Sequence, residues 1–277
     1  MDLNIKRLFD SLPKELFDLK IIHHGATVNT IFCAGYFENK IINLSNEITL
    51  LQVNDSYGSS NSKINKIKFS NPNQIIDIVV PVYEKWLSKP RGILKYVKDN
   101  YSSLPNYILY TDATDVAILN DIENPKEILD FYKCDILFNC EPNYMHTGFG
   151  EPSHSYYNPL YEKEQHVYEL LNKEKYGVNH TRSLNAGVFL GKKDYVLEFL
   201  EESIKYMEDD FNKGFPYGCL DDQCMFRWAQ NKYFDKISVD VYNKWFLFAY
   251  PKCLEVNEDD WEHFTFFKRK NEHLYIK

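Results

Sequence analysis

Short apolar runs alternate along this chain with stripes of helical period, and the alternation predicts most of its elements. Leu19 to Ile22 and Ile48 to Val53 read as strands, as do Tyr107 to Tyr110, Asp135 to Cys140 and Ser183 to Gly191, and Val116 to Leu119 is a further apolar run. Helical spacing marks the segment after Pro90, with Ile93, Leu94, Val97 and Tyr101 on one face, and the segment after Pro125, with Ile128, Leu129 and Tyr132 inward. It marks Lys193 to Phe211 most clearly, where Val196, Phe199, Leu200, Ile204, Met207 and Phe211 form the inner face. Leu220 to Gln230 is a further helix carrying Met225, Phe226 and Trp228. Residues 1–17 form a helix or two interrupted at Pro13, residues 28–42 a helix with Ile31, Phe32, Tyr36 and Phe37, and residues 161–176 another. Lys63 to Phe69 alternates as an exposed strand does, Asn54 to Ser62 is a loop, and short strands and turns follow Ile237. Residues 142–160, with three prolines and two glycines, have the length of a lid or binding loop. Strand, helix and strand in quick succession imply βαβ units, hence an α/β fold with a largely parallel central sheet flanked by helices. No internal repeat or low-complexity linker divides the 277 residues, so a single domain is expected.

Charge and composition narrow the function classes. The net charge of −8 speaks against a nucleic-acid binder, which would show a basic face. An anionic small substrate stays open, because a bound cation can supply local positive charge. The six cysteines include no C-x-x-C pair and no zinc-type Cys/His cluster, which fits buried thiols in a reducing compartment. The first 20 residues are charged throughout, and the longest apolar stretch, Ile75 to Tyr83, is broken by Asp77 and Pro81. A soluble, cytoplasmic protein without a membrane span is the expectation.

The chemistry concentrates in YILYTDATDV, Tyr107 to Val116. A buried strand ends in Asp112, and Asp115 follows just before the next apolar run. Two carboxylates beside a low-dielectric core repel each other and lose hydration. A hard divalent cation, Mg2+ or Mn2+, relieves both costs. The plainer alternative is a strand-end turn in which Asp112 caps the next element. A second motif, Leu184-Asn185-Ala186-Gly187, sets an amide beside a glycine that permits close approach. A third, Asp221-Asp222-Gln223, opens a helix, and N-capping alone would explain its acidity. The His23-His24 pair after the first strand has no partner ligand near in sequence and reads as packing or surface.

The ordered set Asp112-x-x-Asp115, Leu184-Asn185-Ala186-Gly187, Asp221-Asp222-Gln223 resembles the nucleotide-sugar glycosyltransferases of the GT-A fold. The likeness is strongest to the glycosyltransferase domain of procollagen lysyl hydroxylases and to the collagen-type glycosyltransferases. It covers roughly residues 75–250 by pattern and spacing. It implies a single GT-A-like domain that moves a hexose from a UDP-sugar to a glycan or protein hydroxyl. Asp112 and Asp115 would hold Mn2+ (or Mg2+), with Asp115 as the direct ligand. Asn185 and Gly187 would lie beside the donor sugar, and Asp221 and Asp222 at the transfer centre. More loosely, Arg91 would face the nucleotide and Gly25 to Thr27 the uridine.

Sugar transfer passes through an oxocarbenium-like state with a diphosphate leaving group, which calls for a cation and a positioned carboxylate. The chain departs twice from the proteins it resembles. Asn143-Tyr144-Met145-His146 stands where they carry a tryptophan, and their His-x-Asn-Gly-like metal-binding segment is missing. His263 or His273 could replace its histidine. The alternatives are a nucleotide-sugar-binding protein without turnover and a metal-dependent hydrolase using the same carboxylates.

Overall fold

A computed structural model describes residues 3–12, 14–23, 25–55, 62–80, 88–141, 183–212 and 222–248. The expectations for residues 142–160 and 161–176, for Asp221, and for His263 and His273 lie outside them. The chain opens with α1 (Leu3–Asp10) and a 3-10 turn (Lys14–Asp18), as expected on either side of Pro13. Strand β1 (Ile21–His23) follows, then α2 (Gly25–Cys33). The predicted helix over 28–42 is shorter than its apolar pattern: Gly35 takes φ +77°, a left-handed geometry that stops a helix. Strands β2 (Ile41–Ile42) and β3 (Ile48–Asp55) come next, β3 reaching two residues into the predicted loop. Lys63 to Phe69 is not one strand. A 3-10 turn (Ile64–Lys66) buries Ile64, and only β4 (Lys68–Phe69) pairs, with β2.

The rest of the described chain is β5 (Ile75–Val80), α3 (Ser88–Asn100), β6 (Tyr107–Thr111), β7 (Val116–Ile118), α4 (Pro125–Tyr132), β8 (Ile136–Glu141), β9 (Ser183–Lys192), α5 (Lys193–Asn212), α6 (Asp222–Lys232), β10 (Ile237–Val239) and β11 (Phe246–Phe248). Tyr101 falls just past α3 and is exposed rather than on its inner face. Asn124 caps α4 by accepting from the Glu127 amide, with Pro125 in the first turn.

Six strands form the main sheet in the order β10-β8-β9-β6-β3-β5. All are parallel except β9, which runs antiparallel to both β6 and β8. The sheet is therefore mostly parallel, with α3 as the crossover from β5 to β6. A smaller sheet, β11-β1-β7, adjoins it, and β6 leads into β7 through only Asp112 to Asp115. Helices α3, α5 and α6 pack side by side, α3 on β3 and β5, α5 on β6 and β9, and α6 on β9. Their shared core is aromatic: Phe138, Phe189, Phe199 and Phe226 are all buried, with neighbouring ring centroids 5.0–5.7 Å apart.

Asp240 fixes the turn between the two sheets. Its carboxylate accepts the amides of Lys244 (2.9 Å), Trp245 (2.7 Å) and Phe246 (2.7 Å), and the Tyr132 hydroxyl. Burial pushes its carboxyl above the usual range, against the pull of those four donors. The turn leads directly into β11, whose Phe246 is the register partner of Ile21. The Trp245 carbonyl accepts the amides of Lys20 and Ile21. Asp240 thus supports the strand that ends in His23.

Candidate metal and catalytic centre

β1 ends at His23, and β7 runs antiparallel beside it with Val116 opposite His23. Asp115, one residue earlier, is thereby delivered to the histidine. His23 Nε2 lies 3.3 Å from Asp115 Oδ2 and 3.8 Å from Asp112 Oδ2. Ligand atoms from these three residues all fall within 4.8 Å of one another. Adjacent ligands of an octahedral ion at bond lengths of about 2.1 Å sit about 3 Å apart, so a small inward shift suffices to hold one. One nitrogen and two carboxylate oxygens suit Mn2+ well. The His23 side chain is 6% exposed, against 27% for Asp112 and 34% for Asp115. The site is therefore anchored in the core and open on its carboxylate side.

Strand β9 is shaped around this centre. Its pairing with β8 steps from Phe138↔Phe189 to Asn139↔Asn185, which leaves residues 186–188 out of that ladder. In the displaced segment the Gly187 carbonyl accepts the Asp112 amide at 2.7 Å. Asn185 Oδ1 accepts the Gly187 amide (2.9 Å), while Gln223 Oε1 accepts the Ala186 amide and Asn185 Nδ2, each at 3.2 Å. Asn185 and Gln223 hold the bulge in place. Because β9 is antiparallel, its amino-terminal part meets the carboxyl end of β6, and Asn185 reaches the site edge from the start of its strand.

The expected room at Gly187 is taken by protein. A Cβ there would lie 2.1 Å from His23 Cε1 and 2.7 Å from Nδ1. The glycine lets the Cε1 side of the imidazole approach the β9 backbone closely. Gly187→Ala should push the ring away and weaken Mn2+ binding by at least about tenfold, in the range seen when a group supporting a metal site is lost. Titration of Mn2+ into the folded variant measures this.

A second basic group completes the cluster. Lys89, in the first turn of α3, places Nζ 2.9 Å from Asp112 Oδ1 and 2.6 Å from Asp222 Oδ2. The Tyr110 hydroxyl also donates to Asp112 Oδ1, at 2.7 Å. Burial disfavours the Lys89 charge, yet Asp112 and Asp222 outweigh it and hold its pKa well above the usual range. Burial likewise opposes a charged His23. The hydrogen bond to Asp115 and the two carboxylates prevail, and its pKa rises despite Lys89. Burial, reinforced by the Asp112 charge, pushes the Tyr110 hydroxyl well above its ordinary range, so it stays a neutral donor.

The structure therefore brings together Asp112, Asp115, Asn185, Gly187 and Asp222 at one edge of the sheet. Asp222 is the first residue of α6, and its contact with Lys89 gives it a role beyond capping. Arg91 forms a 2.9 Å ion pair with Glu208 of α5, and Lys89, two residues earlier, is the basic side chain beside the carboxylates. Thr27, in α2, is 1% exposed, and its Oγ1 has no hydrogen-bond partner among the described residues. His23 is buried and packed against Gly187, in keeping with the packing role expected of it, and it also lies beside Asp112 and Asp115, about 90 positions away in sequence. Its place at a strand's carboxyl end, the same position as Asp112, was the available signal. A cavity of about 690 Å³ lined by Phe17, Lys20, Asn120, Asp121 and Trp245 lies at the other ends of β1 and β7 and has no part in this centre.

No protein-family model matches the chain, and no curated protein matches it in sequence. Among the described residues no helix is long and apolar enough to cross a membrane.

Proposed function

We propose that this chain is a metal-dependent glycosyltransferase that moves a hexose from a UDP-sugar to a hydroxyl of a glycan or protein acceptor. The observation that carries the reading is the convergence of His23, Asp112 and Asp115 at the strand ends, with the buried carboxylate of Asp222 tied to the same cluster through Lys89. In this reading His23 Nε2, Asp112 Oδ2 and Asp115 Oδ2 hold Mn2+ or Mg2+. The ion, when bound, supplies Lewis-acid stabilisation to the departing diphosphate.

The remaining tasks belong to the protein. Tyr110 and Lys89 engage Asp112 Oδ1 and so orient its other oxygen toward the ion locus. The clamp of Asn185 and Gln223 fixes the β9 bulge against which a donor sugar would rest. In this reading Asp222 holds sugar hydroxyls or takes the acceptor proton. A thermal-shift screen of nucleotide sugars with Mn2+ tests the reading. A donor at 100 times its dissociation constant stabilises the folded chain by about 2.7 kcal/mol, and the shift should vanish with EDTA. Uniform lack of response across UDP-sugars would reject the donor class.

Asp222→Asn should separate transfer from nucleotide binding. Its carboxylate lies on the far side of Lys89 from Asp112. Turnover should fall by at least about a hundredfold, as for loss of a general base. UDP affinity measured by calorimetry should change less than about threefold, within the 0.7 kcal/mol that such a factor represents. Normal transfer by this variant would reduce Asp222 to the first-turn carboxylate of α6.

A further inference from the structure

Lys89 bears a charge in a place where charge is costly. Its side chain is 17% exposed, and it stands between Asp112, 27% exposed, and Asp222, 5% exposed. Burying an ammonium requires compensation, and here two carboxylates supply it. The division of Asp112 is informative. Oδ1 takes the Lys89 ammonium and the Tyr110 hydroxyl, while Oδ2 turns to His23 and the Asp115 side. The ammonium and the metal locus are thus on opposite oxygens of one carboxylate.

We propose that Lys89 is the resident cation of the centre: it neutralises Asp112 and Asp222 when no metal is present and sets, by repulsion, how tightly His23, Asp112 and Asp115 hold a divalent ion. The proposal rests on the metal-site reading above. A unit positive charge one carboxylate away from a divalent ion repels it strongly in a partly buried site. An order of magnitude in affinity corresponds to only about 1.4 kcal/mol, a small part of that repulsion. The same residue helps make the centre tolerable without metal, since its ammonium offsets the charge of Asp112 and Asp222 in a partly buried site. It also couples the two halves of the site, because the ammonium that weakens the metal holds Asp222.

The test is Mn2+ binding to the full chain, read as loss of the free-ion electron paramagnetic resonance signal, with thermal unfolding as the check on folding. Lys89→Gln should bind Mn2+ at least about tenfold more tightly than wild type, and Lys89→Arg, which keeps the charge, should stay within about threefold. If Lys89→Gln does not fold, the double variant Lys89→Met with Asp222→Asn leaves no unpaired charge on the Asp222 side. It should bind at least about tenfold more tightly than Asp222→Asn alone. Wild type that binds Mn2+ while the lysine-free chains bind equally or more weakly would overturn the proposal and leave the metal site standing. No Mn2+ binding by wild type or by any lysine-free variant would overturn the metal site and the proposal together.

Discussion

Asp115→Asn should lower turnover of a UDP-sugar by a hundredfold or more while leaving the folded chain nearly as stable as wild type. The loss is large because the carboxylate stands 3.3 Å from His23 Nε2 and supplies one of the two oxygens of the ion locus. Loss of a principal electrostatic stabiliser of the transition state costs about 2.7–4 kcal/mol in the barrier. The fold should be spared because Asp115 is in a connecting turn, and its side chain is 34% exposed. Asparagine matches the size of the carboxylate and keeps one oxygen to accept from His23 Nε2, so the cost should stay at about 1 kcal/mol or less. Steady-state transfer assays with saturating Mn2+, set beside a thermal melt, read both halves. Metal-independent transfer by the variant would remove Asp115 from the mechanism.

The largest effect on stability should come from Asp240→Ala. Three backbone amides and the Tyr132 hydroxyl lose their acceptor at a site that is fully buried. Unsatisfied buried donors cost about 1–3 kcal/mol each, partly relieved by water entering the space, so a total of about 3–5 kcal/mol is expected. For a chain of this size that lowers the melting temperature by roughly 5–10 °C. Asp240→Asn should not rescue it, since an amide offers one oxygen to donors that now use both carboxylate oxygens. Because the turn supports β11 and through it β1, Mn2+ affinity should fall as well. A melt unchanged by either substitution would contradict this account of the turn.

The fold was legible where local pattern and burial agree. Tyr107–Thr111, with five buried positions, and the long stripe of α5 follow directly from their apolar spacing. Lys63 to Phe69 misled because a 3-10 turn that buries Ile64 carries the same alternation over so few residues as a strand. The helix over 28–42 was overextended because its aromatics continue into packing after the chain has turned at Gly35: Tyr36 and Phe37 contact each other edge to face. The acidic half of the centre could be read because Asp112 and Asp115 share one turn. Its basic half could not. His23 and Lys89 reach the carboxylates through the pairing of β1 with β7 and the docking of α3 on β3 and β5, which are tertiary facts. The antiparallel course of β9 was equally hidden, since a buried apolar run carries no mark of strand direction.

The central claim is metal-dependent transfer at the centre formed by His23, Asp112 and Asp115. Its most direct test is release of UDP from a panel of UDP-hexoses by the wild-type chain supplied with glycan and peptide hydroxyl acceptors, with the hexose traced to acceptor or to water, followed with Mn2+, with EDTA, and after Mn2+ is restored. The account predicts release from at least one donor that stops with EDTA and returns with the metal. Release that continues at full rate in EDTA, or no release from any donor while the chain binds Mn2+, would contradict it.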